Sequence, residues 1–257
     1  MKIIIIILLT AGLSGMAFIV KSKKDKAPVK SAFTTKGIYA PVALLELFTS
    51  EGCSSCPPAD ALLASLAKEN KTVIPLSFHV DYWNRLGWTD PFSDAAYSNR
   101  QNLYGAKLGL ESVYTPQLII NGQYEGVGSN RNFAGESIQK SLSENALVKI
   151  SLSGFVQDKQ LVRFTTGAEG NLKGTDLFAA LVENTASSQV KAGENRGALL
   201  THINIVRVLK RQDAASLVSF TLNLPADVAD GNWKIVLFTQ EKSSGKITGA
   251  FAYNPVH

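Results

Sequence analysis

The sequence predicts an α/β domain followed by an all-β, sandwich-like domain, and the main evidence is a change of hydrophobic periodicity near residue 145. Before that point, apolar runs typical of buried strands alternate with helical patterns. After it, apolar side chains recur at every second position in several segments. The 257 residues are 45% hydrophobic and 18% charged, which excludes disordered and collagen-like chains. A chain of this length can form two hydrophobic cores.

The N-terminus has the features of an export signal. A short positive segment precedes an unbroken apolar run, and Ala17 occupies the last position before a signal-peptidase cleavage site. Residues 1–20 are therefore expected to be a signal peptide or an N-terminal membrane anchor, because residues 3–20 are long enough to span a bilayer. Residues 21–37 are expected to form a basic tether. Both alternatives place the rest of the chain outside the cytoplasm, in the periplasm or secreted.

The distribution of charge argues against a nucleic-acid partner. The net charge is +5, but residues 1–36 contain seven lysines and one acid and carry +6, which leaves −1 for residues 37–257. The predicted domains therefore have no overall excess of basic residues to attract a polyanion. Contact with a membrane is expected only through the N-terminal anchor.

The first predicted domain, residues 38–145, begins as a strand–turn–helix–strand unit. An apolar run over residues 42–48 predicts the first strand, and a β-rich run over residues 73–80 predicts the second. The helix between them begins near Pro57 and Pro58, which are tolerated in a first helical turn. The remaining predicted elements are a helix over residues 93–108, a hairpin of residues 117–120 and 123–127 around Asn121-Gly122, and a helix over residues 132–143.

The second predicted domain, residues 146–257, contains about seven β-strands. Val148, Ile150 and Leu152 illustrate the alternation of apolar and polar residues that is typical of a half-buried strand. Two further segments, residues 177–182 and 203–209, are more continuously apolar. Strands of this kind, separated by turn residues, predict a β-sandwich.

The chemistry of the chain is expected to lie in a C-x-x-C motif, Cys53 and Cys56, which are its only cysteines. A disulfide across four residues restricts the unfolded chain little, so a purely structural role would contribute little stability. The N-terminus of a helix instead stabilises a thiolate. We therefore expect Cys53 to be the more exposed, nucleophilic sulfur and Cys56 to be the resolving thiol of a thiol-disulfide oxidoreductase. Its substrates would be protein or small-molecule thiols and disulfides.

Two other classes of function stay open at this stage. Cys53, Cys56 and His79 could hold a soft metal ion such as Cu(I), which would make the chain a copper-binding or insertion protein. Alternatively, the disulfide is inert and the chain is a non-catalytic extracellular binding module. No organic cofactor is expected, since the sequence has no G-x-G-x-x-G fingerprint.

The order of predicted elements in the first domain resembles the thioredoxin fold. That resemblance implies a cis peptide bond between Thr115 and Pro116 beside the sulfurs, with the backbone of Thr115 as an edge for a substrate strand. More specifically, the chain resembles the bacterial secreted family called domain of unknown function 1223. The segments that carry this resemblance are ELFTSEGCSSCPPAD (46–60), FHVDYWNRLGWTDPF (78–92), VYTPQLIINGQYEGVGS (113–129) and GENRG…H (193–202).

Three residues are expected to modulate the cysteines. Glu46 is expected to lie beneath the disulfide, where it could take a proton from Cys56. His79 and Asp81 share a face at the end of a strand and could tune Cys53. Three aromatic residues, Trp83, Trp88 and Phe92, are expected to pack in a core or lid or to form a rim for substrate. A turn over residues 194–197 is expected to contact the first domain.

Overall fold

The structure, a computed structural model, describes residues 39–255. The predicted signal peptide or anchor, residues 1–20, and the predicted tether, residues 21–37, lie outside this range. Between residues 39 and 255, no helix is both long enough and apolar enough to cross a bilayer.

The secondary structure of residues 39–255 comprises eleven β-strands, three α-helices and one turn of 3-10 helix at Asn84–Leu86. In chain order the strands and helices are β1 (Ala43–Thr49), α1 (Pro57–Glu69), β2 (Val73–His79), α2 (Ala95–Leu108), β3 (Gln117–Ile120), β4 (Tyr124–Val127), α3 (Arg131–Leu142), β5 (Val148–Asp158), β6 (Leu161–Gly170), β7 (Thr175–Gln189), β8 (Leu199–Asp213), β9 (Leu217–Asn223), β10 (Trp233–Glu241) and β11 (Ile247–Tyr253). The helices and the hairpin predicted in the first half are therefore found close to their expected positions.

Eight of the strands form one mixed sheet, in the order β11-β10-β7-β8-β2-β1-β3-β4. The β1–β2 and β2–β8 pairs are parallel, and the other neighbours are antiparallel. The remaining strands form a three-stranded antiparallel sheet in the order β5-β6-β9.

The predicted fold class, a thioredoxin-like α/β domain followed by a β-sandwich, is wrong. Strands β7, β8, β10 and β11 continue the sheet that β1–β4 begin, through pairing of β8 with β2 at Ile205 and Ser77. The described residues, 39–255, accordingly belong to one compact unit. The physical reason is burial on both faces: every residue from Leu177 to Glu183 in β7 is buried, which suits the interior of a covered sheet better than one side of a sandwich.

Three hydrophobic clusters cover the two faces of the large sheet. Helix α2 packs on one face against residues such as Phe78 and Phe178. On the other face, α1 and α3 pack against β1 and β3, and the three-stranded sheet packs against β7 and β10, for example at Leu181 and Trp233. Because successive strand residues point to opposite faces, Leu45 lies on the α1 side of β1 and Leu44 on the α2 side.

The connection between β7 and β8 lies near the carboxyl end of β1. It consists of residues 190–198 and is here called the strap. Its backbone is closed by hydrogen bonds from Val190 N to Ala198 O and from Gly197 N to Val190 O, both 2.9 Å. The strap is therefore an ordered turn rather than an extended loop.

Candidate functional site

Cys53 and Cys56 form a disulfide in the turn between β1 and α1, with their Cα atoms 5.4 Å apart. Cys56 is the residue immediately before α1, and its carbonyl oxygen accepts hydrogen bonds from Ala59 N and Asp60 N at 2.8 and 3.1 Å. Prolines fill the first two helical positions, where the backbone needs no intrahelical donor. The motif is thus fixed at the positive end of the dipole of a 13-residue helix.

Both sulfur-bearing residues are buried, which corrects the expectation that Cys53 is exposed. The exposed fraction is 1% for Cys53 and 0% for Cys56, so exposure does not distinguish the two. The sulfur of Cys53 lies 3.4 Å from the hydroxyl of Ser55, within reach of a weak hydrogen bond.

The strap is hydrogen-bonded to the cysteine turn. The Asn195 side-chain amide donates to the carbonyl oxygens of Glu51 and Cys53, both at 2.9 Å. The backbone N–H of Ser54 donates to the carboxylate of Glu194 at 2.9 Å, and hydrogen bonding to Ser54 lowers the pKa of that carboxyl group. The prediction that the turn over residues 194–197 touches the first half of the chain is confirmed.

Behind the disulfide lies a group of buried titratable side chains, here called the buried cluster: Glu51, Asp60, His79, Asp90 and His202. Each of these side chains is at most 10% exposed. His79 Nδ1 is 2.7 Å from Asp90 Oδ2. His202 Nε2 is 3.3 Å from Glu51 Oε1, and His202 Nδ1 is 3.4 Å from Asp60 Oδ2. The two imidazole rings meet edge to face at 4.5 Å, so the three imidazole–carboxylate contacts form one cluster.

Two groups of the buried cluster have shifted pKa values. Burial disfavours the charged form of His202, but the neighbouring carboxylates of Asp60 and Glu51 outweigh burial and raise the pKa of His202 to about 9. Burial likewise disfavours the Asp90 carboxylate, but His79 and the backbone N–H groups of Glu51 and Phe92 outweigh it and lower the pKa of Asp90. Both shifts favour charged forms inside the protein.

The Thr115–Pro116 peptide bond is cis, as expected. The Thr115 hydroxyl accepts a 2.8 Å hydrogen bond from Trp83 Nε1, and the carbonyl of Pro116 accepts one from Gly128 N at 2.9 Å. A side chain at Gly128 would lie about 3.1 Å from the Cβ atoms of both Pro116 and Ala59, which is in the first turn of α1. Pro116 is therefore close to the helix start that carries Cys56.

Glu46 is buried, but it does not lie beneath the disulfide. It points to the α2 face of β1, whereas α1 packs on the opposite face. Arg100 of α2 donates to it in a bidentate pair at 2.5 and 2.9 Å, and the hydroxyl of Tyr104 also donates to it. The expectation that Glu46 accepts a proton from Cys56 is therefore wrong, because its carboxylate is already paired on the far side of the sheet.

The other sequence-predicted residues divide between the site and the scaffold. His79 belongs to the buried cluster. Asp81 does not, and its backbone N–H donates to Ser98 Oγ of α2 at 3.1 Å. Trp88 Nε1 donates to Glu51 Oε2 at 2.7 Å, and the ring of Phe92 packs against both imidazoles. These aromatic side chains pack around the buried cluster.

The alternative of a metal site lacks its ligand set. The sulfurs of Cys53 and Cys56 are bonded to each other, and His79 is bonded to Asp90. Throughout residues 39–255, no three His, Cys, Asp or Glu side chains are arranged to hold a metal ion.

Sequence reasoning did not assign a role to Glu51, Asp60, Asp90 or His202. Glu51 and Asp60 flank the C-x-x-C motif, so their positions could have drawn attention to them. His202 follows Asp60 by 142 residues, and only the pairing of β8 with β2 brings it to the site.

Comparisons with known proteins identify relatives without assigning a function. A family model described as "Protein of unknown function (DUF1223)" matches residues 44–240. A crystal structure of a protein from Agrobacterium tumefaciens is 30% identical, with a TM-score of 0.62, over 83% of this chain and 94% of the other. A domain of the outer membrane lipoprotein Omp28 from Porphyromonas gingivalis is 16% identical over 42% of this chain and 88% of the other, with a TM-score of only 0.25. None of the curated proteins matches the chain.

Proposed function

We propose a function for this chain, which belongs to the DUF1223 family of proteins of unknown function. It is an exported thiol-disulfide oxidoreductase, and its reacting atoms are the sulfurs of Cys53 and Cys56. The observation that carries the proposal is the position of their disulfide at the N-terminus of α1. A four-residue disulfide loop contributes little to stability, whereas a helix N-terminus favours the thiolate that exchange requires.

The exchange follows from this placement. A substrate thiolate attacks Cys53 Sγ, a substrate–Cys53 disulfide forms, and the Cys53–Cys56 bond breaks with Cys56 as the leaving group. In the opposite direction, the Cys53 thiolate attacks a substrate disulfide and Cys56 resolves the mixed disulfide. Cys56, as the residue that precedes α1, is the sulfur that the helix dipole stabilises when it leaves.

Burial of the disulfide gives the strap a part in this reaction. With 1% exposure, Cys53 cannot be attacked by a protein thiol while the strap is bonded to the turn. The exchange therefore requires the hydrogen bonds of Asn195 and Glu194 to the turn to open first. Local opening of this kind is common for loops that cover binding sites.

Thr115 is proposed as the substrate edge. Its hydroxyl is held by Trp83, and its backbone N–H and C=O have no hydrogen-bond partner within residues 39–255. An extended substrate segment can pair with such free backbone groups, while Pro116 offers no N–H to compete.

A second candidate is the binding module with an inert disulfide, because the burial of both sulfurs also suits a structural bond. A redox titration of the Cys53–Cys56 pair against glutathione and dithiothreitol buffers, read by alkylation and mass spectrometry, distinguishes the two. A catalytic pair is expected to have its midpoint between about −270 and −120 mV, the range of disulfide oxidoreductases, whereas structural disulfides fall below about −300 mV.

The same titration with Cu(I) present tests the remaining alternative. We expect exchange with a peptide disulfide and no stoichiometric copper complex of the reduced pair. Tight copper binding without exchange would replace the proposal by a metal-handling function.

A further inference from the structure

The buried cluster contains polar atoms that no fold requirement explains. Glu51 Oε1, Asp60 Oδ1 and His79 Nε2 are buried without a hydrogen-bond partner within residues 39–255, and neither ring nitrogen of His202 has hydrogen-bond geometry. Each such atom costs about 1–3 kcal/mol relative to a satisfied one. Their concentration at one place indicates a chemical role, because apolar side chains of the same volume would pack there at no such cost.

The cluster is connected to the disulfide on both sides. Glu51 lies two residues before Cys53, and the strap amide bonds both of their carbonyl oxygens. Asp60 lies one helical turn after Cys56, and its N–H donates to the Cys56 carbonyl. His202 lies between the Glu51 and Asp60 carboxylates, at 3.3 and 3.4 Å.

The charges that face His202 come from several elements. Glu51 follows β1, Asp60 is on α1, and the His79–Asp90 pair is at the end of β2 and in the loop beyond it. Three carboxyl groups therefore surround two imidazoles.

Arg207 of β8 lies beyond this shell, in contact with the Phe92 ring. Its guanidinium lies over the ring of Phe92 and is neutralised by Glu183 and Asp227. The carboxylates that face His202 are therefore those of Glu51 and Asp60.

Reduction of the disulfide creates a demand for a proton at this place. When the bond breaks, the Cys56 sulfur leaves as a thiolate on a residue that is 0% exposed in the folded chain, where the helix N-terminus supplies only a partial positive charge. A partial charge offsets the cost of a buried thiolate only in part, so a proton supplied to the leaving sulfur as the bond breaks favours the reaction further.

We propose that His202, positioned by Glu51 and Asp60, holds the proton that the Cys56 sulfur takes up when the disulfide is reduced. This inference rests on the proposed thiol-disulfide exchange and names the group that supplies its proton.

The step balances with a dithiol as the reductant. Its first thiolate bonds to Cys53 Sγ, the Cys53–Cys56 bond breaks, and the electron pair goes to Cys56 Sγ. That sulfur takes the His202 proton by way of the Asp60 carboxyl group, and His202 regains a proton from solvent. The second thiolate of the dithiol then attacks the first sulfur of the same dithiol, which is bonded to Cys53 in the mixed disulfide. The dithiol is thereby oxidised, and Cys53 leaves as a thiolate.

The test is the rate of reduction by dithiothreitol between pH 6 and 10, measured for the wild-type chain and for His202→Gln. The reductant is kept dilute enough for the rate to stay proportional to it, so that strap opening does not limit the reaction. The ratio of the two rate constants cancels the ionisation of dithiothreitol, since both proteins meet the same reagent. We expect a ratio of about 100 near pH 7, typical of a positioned acid, that falls toward one as His202 loses its proton at about pH 9.

Two further variants separate this role from packing. Asp60→Asn is expected to reproduce the pH-dependent ratio, and it carries the test if His202→Gln does not fold. His79→Gln alters the same cluster but leaves the contact between His202 and Asp60 of α1 in place. The ratio of the wild-type rate constant to that of His79→Gln is therefore expected to stay constant with pH. A constant ratio for His202→Gln and for Asp60→Asn would overturn the proton role. That outcome is independent of the proposed function, which fails instead if peptide disulfides are not exchanged.

Discussion

The Asn195 side-chain amide donates a 2.9 Å hydrogen bond to the carbonyl oxygen of Cys53, across 142 residues of chain. A second bond from the same nitrogen to Glu51 O makes Asn195 the residue that fastens the strap to the cysteine turn. Since Cys53 is 1% exposed, we expect the strength of these bonds to determine how often its sulfur can be reached.

Replacing Asn195 is therefore expected to expose the disulfide. Asn195→Ala removes two hydrogen bonds, each worth about 1 kcal/mol, so opening should become about 30-fold more frequent, since 1.4 kcal/mol corresponds to a factor of ten. The measurement is the rate at which a small phosphine reduces the native protein. Asn232→Ala is a matched control, because its side-chain amide bonds the backbone of Thr185 instead. Equal rates for wild type and Asn195→Ala would show that the strap does not cover Cys53.

The two cysteines are expected to behave differently when substituted. Cys56→Ser leaves the attacking sulfur without its resolving partner, so mixed disulfides with substrate should accumulate. Cys53→Ser should trap far less, because Cys56 immediately precedes α1 and is the leaving sulfur. Non-reducing gels and mass spectrometry after incubation with a peptide disulfide provide the measurement. Equal trapping by both variants would remove the assignment of Cys53 as nucleophile.

The Glu46–Arg100 pair is expected to support the fold without affecting exchange. Glu46→Gln leaves a buried guanidinium without its carboxylate, which typically costs about 3–5 kcal/mol. Urea denaturation measures the loss, and dithiothreitol reduction at pH 7 should proceed at the wild-type rate. The double variant Glu46→Leu/Arg100→Met should recover much of the stability, because it removes both charges together. A slowed reduction in Glu46→Gln would restore a link between this carboxylate and the disulfide.

Stability is expected to fall on both sides of neutral pH. The pKa of His202 is raised from 6.5 to about 9, so its contribution is complete below pH 6.5 and is lost as the pH rises through about 9. This contribution is on the order of 3 kcal/mol, by the usual conversion of a pKa shift. The pKa of Asp90 is lowered, so its contribution is present above its usual value of 3.8 and is lost at lower pH.

Urea midpoints at pH 6 and pH 9.5 test the alkaline limb. Wild type should be less stable at the higher pH, and His202→Gln should show a smaller difference between the two. An unchanged difference in the variant would assign the alkaline loss to other groups.

Local sequence determined most of the secondary structure. Pro57 and Pro58 mark the first positions of α1, and Asn121-Gly122 marks the turn of the β3–β4 hairpin. Strands with one buried face were also readable: Val148 and Ile150 alternate with exposed residues in β5, which lies in the small sheet. These signals are readable because they depend on neighbours a few residues apart.

The tertiary structure decided how the strands associate. The continuously apolar residues of β7 signal burial on both faces, but periodicity does not state which strand lies at either edge. The pairing of Ser77 with Ile205 merged the two expected domains into one sheet, and it could not be derived from either strand alone.

The candidate site divides in the same way. The sequence by itself determined the C-x-x-C pair and its place before a helix, whereas the cis bond before Pro116 was implied by a resemblance of fold. Which acid and which base lie near the sulfurs was a tertiary matter. Glu46 is nearer in sequence, yet the alternation of β1 turns it toward Arg100, whereas His202 reaches Asp60 from 142 residues away. Through-space electrostatics depends on such distances, and these follow from strand pairing rather than from order along the chain.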